Sequence, residues 1–172
     1  IWWARRPLAA CRAVICASLW PDPVDLTAWA ERGEVIPVGD GSVIVRPQRF
    51  LDTARERMTA WANRHLGKVS KESYSRFVAI QNGAKTLADP MDLRRVLLDF
   101  IADFANWDHS TDKDYLETAR ALTQAAHEAL GGEPETRPLV VDPFCGGGSI
   151  PLEALRVGAD AFASDLNPIP VL

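Results

Sequence analysis

The sequence predicts an α/β protein: a mostly helical chain that leads into the first strands of a parallel sheet, with one small β-hairpin. Three observations carry this. Leu139, Val140 and Val141 form a short continuous apolar run, the glycine-rich stretch "DPFCGGGS" follows at 142–149, and Ala161, Phe162 and Ala163 form a second run. Strand, loop, helix and strand within about 30 residues is a βαβ unit, which sets its two strands parallel. Upstream, between 51 and 130, apolar residues recur at helical spacing.

The elements follow in order. Residues 8–20 are apolar nearly all round except for Arg12 and Ser18, with Pro7 ahead and Pro21 behind. That framing predicts a helix buried on most sides. A short helix is expected over 24–33, ending at Gly33. In "EVIPVGDGSVIVRP" two β-branched runs flank Gly39, Asp40 and Gly41, a hairpin signal. Four helices are expected over 51–66, 71–82, 91–106 and 113–130, with Asn82-Gly83 and Gly131-Gly132 as stops. In the third of these, Leu93, Val96, Leu97, Phe100, Ile101 and Phe104 mark a core face. After the glycine loop, 150–157 reads as a helix closed by Gly158, and the last strand ends at Ser164-Asp165.

Composition limits the function classes. At 172 residues, with 47% hydrophobic and 24% charged residues, the chain can build one sizeable core of ordinary globular type. Its net charge of -4 and pI near 5.4 argue against non-specific nucleic-acid binding through overall charge. Cys11, Cys16 and Cys145 lack the paired spacing of a zinc site and suit a reducing, cytoplasmic setting. A lipoprotein-type leader is excluded, because only Pro7 separates Arg6 from Leu8, and the apolar run is too short to span a bilayer. The chain starts at Ile1 and stops at "NPIPVL", where a new helix is expected to begin; it reads as part of a longer protein.

Three ligand classes use a glycine-rich turn between strand and helix. A nucleoside triphosphate loop needs a lysine after the glycines, and none follows. A dinucleotide loop needs a third glycine where this chain has Pro151. S-adenosylmethionine needs neither; it needs bare backbone beside its methionine part and an acid farther on for its ribose hydroxyls. Asp165 ends the second strand 23 positions after Asp142, close to the offset of roughly 20 expected of a ribose-binding acid. In this reading Asp142 accepts from the cofactor amino group or orders the loop. Phe144 offers an apolar wall, Cys145 is a small lining residue, and Gly146 and Gly148 leave the backbone bare. The competing reading is an ordinary βαβ turn whose glycines only permit packing.

"DPFCGGGSIPLEALRVGADAFASDLNP" resembles the cofactor motif of amino-group DNA methyltransferases. "WWARRPLAACRAVICASL" and "LLDFIADFANWD" are similar to a family of large adenine-specific DNA methylases with an N-terminal domain of uncharacterised function. The resemblance implies an incomplete Rossmann-like sheet of an S-adenosylmethionine-dependent methyltransferase. Residues 1–20 would be a motif and helix packing on the cofactor domain, 21–137 a helical insertion with a hairpin near 35–46, and 138–172 the first βαβ unit.

Arg6 and Pro7 would stand for the Lys-Pro of a segment that borders the methyl donor. Arg5 or Arg6 then reaches a cofactor carboxylate or a DNA phosphate, or else the arginines solvate the helix start. Trp2 and Trp3 read as core rather than base-stacking residues, as do Trp20 and Trp61. His65, His109 and His127 stand far apart and read as surface or capping residues, with no metal implied.

Methylating an exocyclic amine brings its nitrogen in line with a sulfonium methyl. Enzymes of this class hold the flipped base with a [DNS]-P-P-[YFW] loop. No such tetrapeptide occurs in the 172 residues. The expected role is therefore the methyl-donor half of a DNA methyltransferase, inactive alone. It would act on DNA within a larger cytoplasmic protein and alongside restriction-modification or phage-defence proteins. The alternatives are an RNA guanine-amino methyltransferase, which also carries a D-P-F-C-G-[SG]-G loop, and a non-catalytic cofactor-binding module of a defence complex.

Overall fold

Prolines and short polar side chains set where most helices begin. The computed structural model describes residues 8–32, 35–38 and 41–166, and side chains for all of these except 31–44. Helix α1 (Leu8–Leu19) stops before Pro21, and α2 (Pro23–Arg32) starts on a proline whose missing N–H costs nothing there. Strands β1 (Val35–Val38) and β2 (Gly41–Ile44) pair antiparallel with Val35 opposite Ile44, giving the expected hairpin. Helix α3 (Pro47–Arg64) begins four residues before the expected 51, because Pro47 suits a first turn. The next three helices are α4 (Lys71–Gln81), α5 (Pro90–Phe104) and α6 (Lys113–Ala129). Their N-caps are Ser70, Asp89 and Asp112, whose side chains accept from Ser73 N, Met91 N and Asp114 N. Strand β3 (Leu139–Asp142), helix α7 (Ser149–Arg156) and strand β4 (Asp160–Ala163) complete the described chain.

The helices build the core. Phe50, Leu51, Met58, Phe77, Leu93 and Leu122 are fully buried, each contributing roughly 1.5–3 kcal/mol relative to exposure. At the centre Trp61 meets Phe100 edge-on at 5.1 Å and Tyr115 at 4.5 Å, while Phe104 stacks on Tyr115 at 5.4 Å. Trp20 closes one side, donating from Nε1 to Thr123 Oγ1 at 3.0 Å. The expected core face of α5 is there, with Ile101 only partly buried.

The α/β expectation is corrected. Strands β3 and β4 pair parallel, Leu139 with Asp160 through Asp142 with Ala163, so the βαβ unit exists. It yields only a two-stranded sheet, and no Rossmann-like multi-stranded sheet exists among the described residues. Helix dominates because the long helices between α3 and α6 bury their apolar faces on one another. The two four-residue strands add only partly buried Val140 and Ala161 to that same cluster. Leu139, Val141 and Phe162 point the other way and are 61%, 56% and 58% exposed. Among the described residues no helix is long and apolar enough to cross a membrane.

Candidate functional site

The glycine loop sits at the carboxyl ends of two parallel strands, where open α/β sheets place their ligands. Asp142 ends β3 and its Oδ1 accepts from the Phe144 N–H at 3.1 Å, a local turn that aims the chain away from the strand. Its carbonyl accepts from Ser164 N at 3.0 Å, and Cys145 N donates to Ser164 O at 3.0 Å. The end of β4 is thereby sewn to the loop. Gly146 N donates to Asp165 Oδ2 at 2.8 Å, so the strand-end acid touches the loop directly.

Two of the three glycines are required by conformation. Gly146 and Gly148 have φ of +48° and +72°, which a side chain rarely adopts. Gly147 has no such need, and a Cβ at any of the three positions would meet nothing within 4 Å. The space over this backbone is open. Gly148 is the N-cap of α7 and supplies no side-chain acceptor, so the Ser149 and Ile150 N–H groups face the loop side uncapped, Pro151 having none. A helix start of this kind favours anionic groups.

Of the expected site residues, Asp142, Phe144, Cys145, Gly146, Gly148 and Asp165 come together in this loop. The Phe144 ring is 73% exposed, and Cys145 is a half-buried free thiol. Asp142 orders the loop. Asp165 lies against the same backbone. Arg6 and Pro7 lie outside the described residues, as do Arg5, Trp2 and Trp3. Helix α1 packs on α7, α5 and α6. Together with Val140 and Ile150, Cys11, Val14, Ile15 and Leu19 of that helix border an apolar cleft of about 360 Å³.

The histidines do local work. His65 Nδ1 lies 3.4 Å from Asp114 Oδ2, His109 Nδ1 lies 2.8 Å from the Asp103 carbonyl, and His127 Nε2 lies 2.8 Å from Thr136 Oγ1. Among the described residues no group of three or more His, Cys, Asp or Glu is arranged to hold a metal ion.

Sequence reasoning missed Arg12 and Glu153. Both are fully buried, and Arg12 Nε donates to Glu153 Oε2 at 2.7 Å between α1 and α7. A single cation within the apolar "LAACRAVICASL" was the available signal, since a buried arginine requires an anion. Nothing in the sequence pattern singles out Glu153 as that anion.

A family model described as "Protein of unknown function (DUF1156)" matches residues 1–35. No curated protein and no solved structure matches the chain.

Proposed function

We propose that the glycine loop binds S-adenosylmethionine and that the chain supplies the methyl-donor part of a DNA methyltransferase acting on an amino group, that of adenine. The contact from Gly146 N to Asp165 Oδ2 carries this reading. It joins a bare glycine backbone to an acid at the neighbouring strand end, the two features the cofactor requires. The open space over Gly146, Gly147 and Gly148 fits a ligand lying against main chain. The resemblance of "WWARRPLAACRAVICASL" and "DPFCGGGS" to adenine-specific DNA methylases supplies the substrate class.

The cofactor, when bound, supplies an electrophilic methyl group on a sulfonium. The chain's own residues bind and orient. Asp165 is suited to accept from ribose hydroxyls, at the cost of sharing its carboxylate with the loop. The Ser149 and Ile150 N–H groups at the start of α7 suit the cofactor's carboxylate. Phe144 offers an exposed apolar face for the adenine ring. No residue of the 172 forms a [DNS]-P-P-[YFW] acceptor loop, so contact with the target base belongs to other parts of the working enzyme.

Gly147 gives the cleanest test. It has neither a positive φ nor a crowded Cβ, so Gly147→Val leaves the loop fold intact. We expect calorimetry to show S-adenosylmethionine binding to the wild-type chain and a loss of roughly tenfold or more in the variant, since a ligand on the backbone meets the new side chain. Equal affinity of the two proteins, or no binding by wild type, overturns the assignment.

A further inference from the structure

We infer that Arg12 is a positioning residue for the glycine loop: it fixes α7, and the loop that runs straight into its first turn, against α1 and the end of α5. The guanidinium engages three elements at once. From α1, its Nε and Nη2 reach the two carboxylate oxygens of Glu153 on α7 at 2.7 and 3.4 Å. Its Nη1 donates to the Phe104 carbonyl at 2.6 Å, with the Asn106 carbonyl at 3.4 Å, and its Cζ lies over the Phe104 ring, 4.7 Å from the centroid. Arg156, one turn along α7, donates a further hydrogen bond to Glu153.

Helix α7 needs such a hold. It has eight residues, too few to be stable alone, and begins on Gly148 without a side-chain cap. The loop before it is tied at its other side to Ser164 and Asp165 after β4. The rotation and height of α7 therefore set the loop geometry from the helix side. Apolar packing by Ala154 and Val157 holds α7 down but tolerates sliding, whereas a forked pair with both partners buried admits one arrangement. A buried ion pair is a poor source of stability compared with well-packed apolar residues. Its use here is direction.

That distinction supplies the experiment. The double variant Arg12→Met/Glu153→Leu keeps the volume and removes the fork without leaving a buried charge unpaired, because Arg156, which loses its carboxylate, is 27% exposed and reaches water. Amide exchange is followed at Cys145, Gly146 and Gly148, whose N–H groups bond to Ser164, Asp165 and Cys145. We expect thermal stability near or above wild type and unchanged protection in α3 and α6. The three loop amides should exchange about tenfold faster or more, and S-adenosylmethionine affinity should fall by a similar factor. Loop protection and affinity equal to wild type in the folded double variant overturn the positioning role. Should that variant not fold, Arg12→Lys, which keeps the charge and loses the fork, is read by the same two outcomes. The affinity measurement rests on the methyl-donor reading above and the exchange measurement does not. If wild type fails to bind the cofactor, that reading falls while the exchange result still decides the role of Arg12.

Discussion

The helical body from α3 to α6 and the βαβ unit from β3 to β4 treat their polar backbone and apolar side chains in opposite ways. In the body, Ser70, Asp89 and Asp112 cap three of the four helix starts and Pro47 opens the other, and Trp61, Phe100, Phe104 and Tyr115 close the centre with Trp20 against Phe100. In the βαβ unit the helix start carries no side-chain cap, the loop over it is bare, and the outer sheet face is exposed. The first region spends its sequence on stability. The second keeps the N–H groups at the start of α7 and the space over the glycines available. Function is therefore expected where the structure is least finished, and stability where it is most closed.

The comparison breaks most severely if its centre is removed. Phe100 is fully buried and touches Trp20, Trp61, Phe104 and Tyr115. Phe100→Ala should cost about 3–5 kcal/mol by urea unfolding. A loss under about 1 kcal/mol would place the core elsewhere.

A sharper version separates a cap from its charge. Burial alone would raise the Asp112 carboxyl, but hydrogen bonds from Lys68 and from the N–H groups of Asp114 and Tyr115 leave it below its ordinary value of 3.8. Because the folded value is depressed, its contribution is complete above the unfolded value and disappears as pH falls through the folded one. Asp112→Asn keeps an equally good cap and should lose that part of the acid dependence, with a cost near neutral pH of about 1 kcal/mol or less. Asp112→Ala should add the lost cap, a further 0.5–2 kcal/mol or so. Unfolding curves between pH 2 and 7 check both variants. An unchanged acid slope in the asparagine variant contradicts the assignment.

The smallest effect is expected on the open face. Val141→Thr, on the exposed side of β3, should change stability by no more than about 0.5 kcal/mol in the same assay. A loss like that of Phe100→Ala would mean that this face is covered in solution.

How much of this was legible depended on range. Local signals were read well: Pro21 after α1, the hairpin, the apolar repeat of α5 and the strand–glycine–helix–strand order all act over a few residues. The class went wrong because a βαβ pattern announces a parallel sheet without fixing how many strands join it; among the described residues two do, and helices outweigh them. Within the site, residue types and spacing pointed to the loop and to Asp165. The bond from Gly146 to Asp165 was not foreseen, because it depends on how the Ser164–Asp165 corner turns back. Arg12 was visible as an anomaly in an apolar helix. Its anion was not, since pairing across the chain leaves no periodic trace.

That pairing also sets a schedule for synthesis. Arg12 and Glu153 stand 141 positions apart, and at about 5–20 residues per second the ribosome delivers the second roughly 7–28 s after the first. Throughout that interval α1 lacks the carboxylate that pairs its cation and the surface of α7, while α3 to α6 are already emerging and able to collapse on one another. Helix α1 is made before α2 to α7 and is among the last of them to be locked. A nascent chain arrested before Glu153 should therefore present "LAACRAVICASL" to proteases and chaperones, and one arrested well beyond it should not.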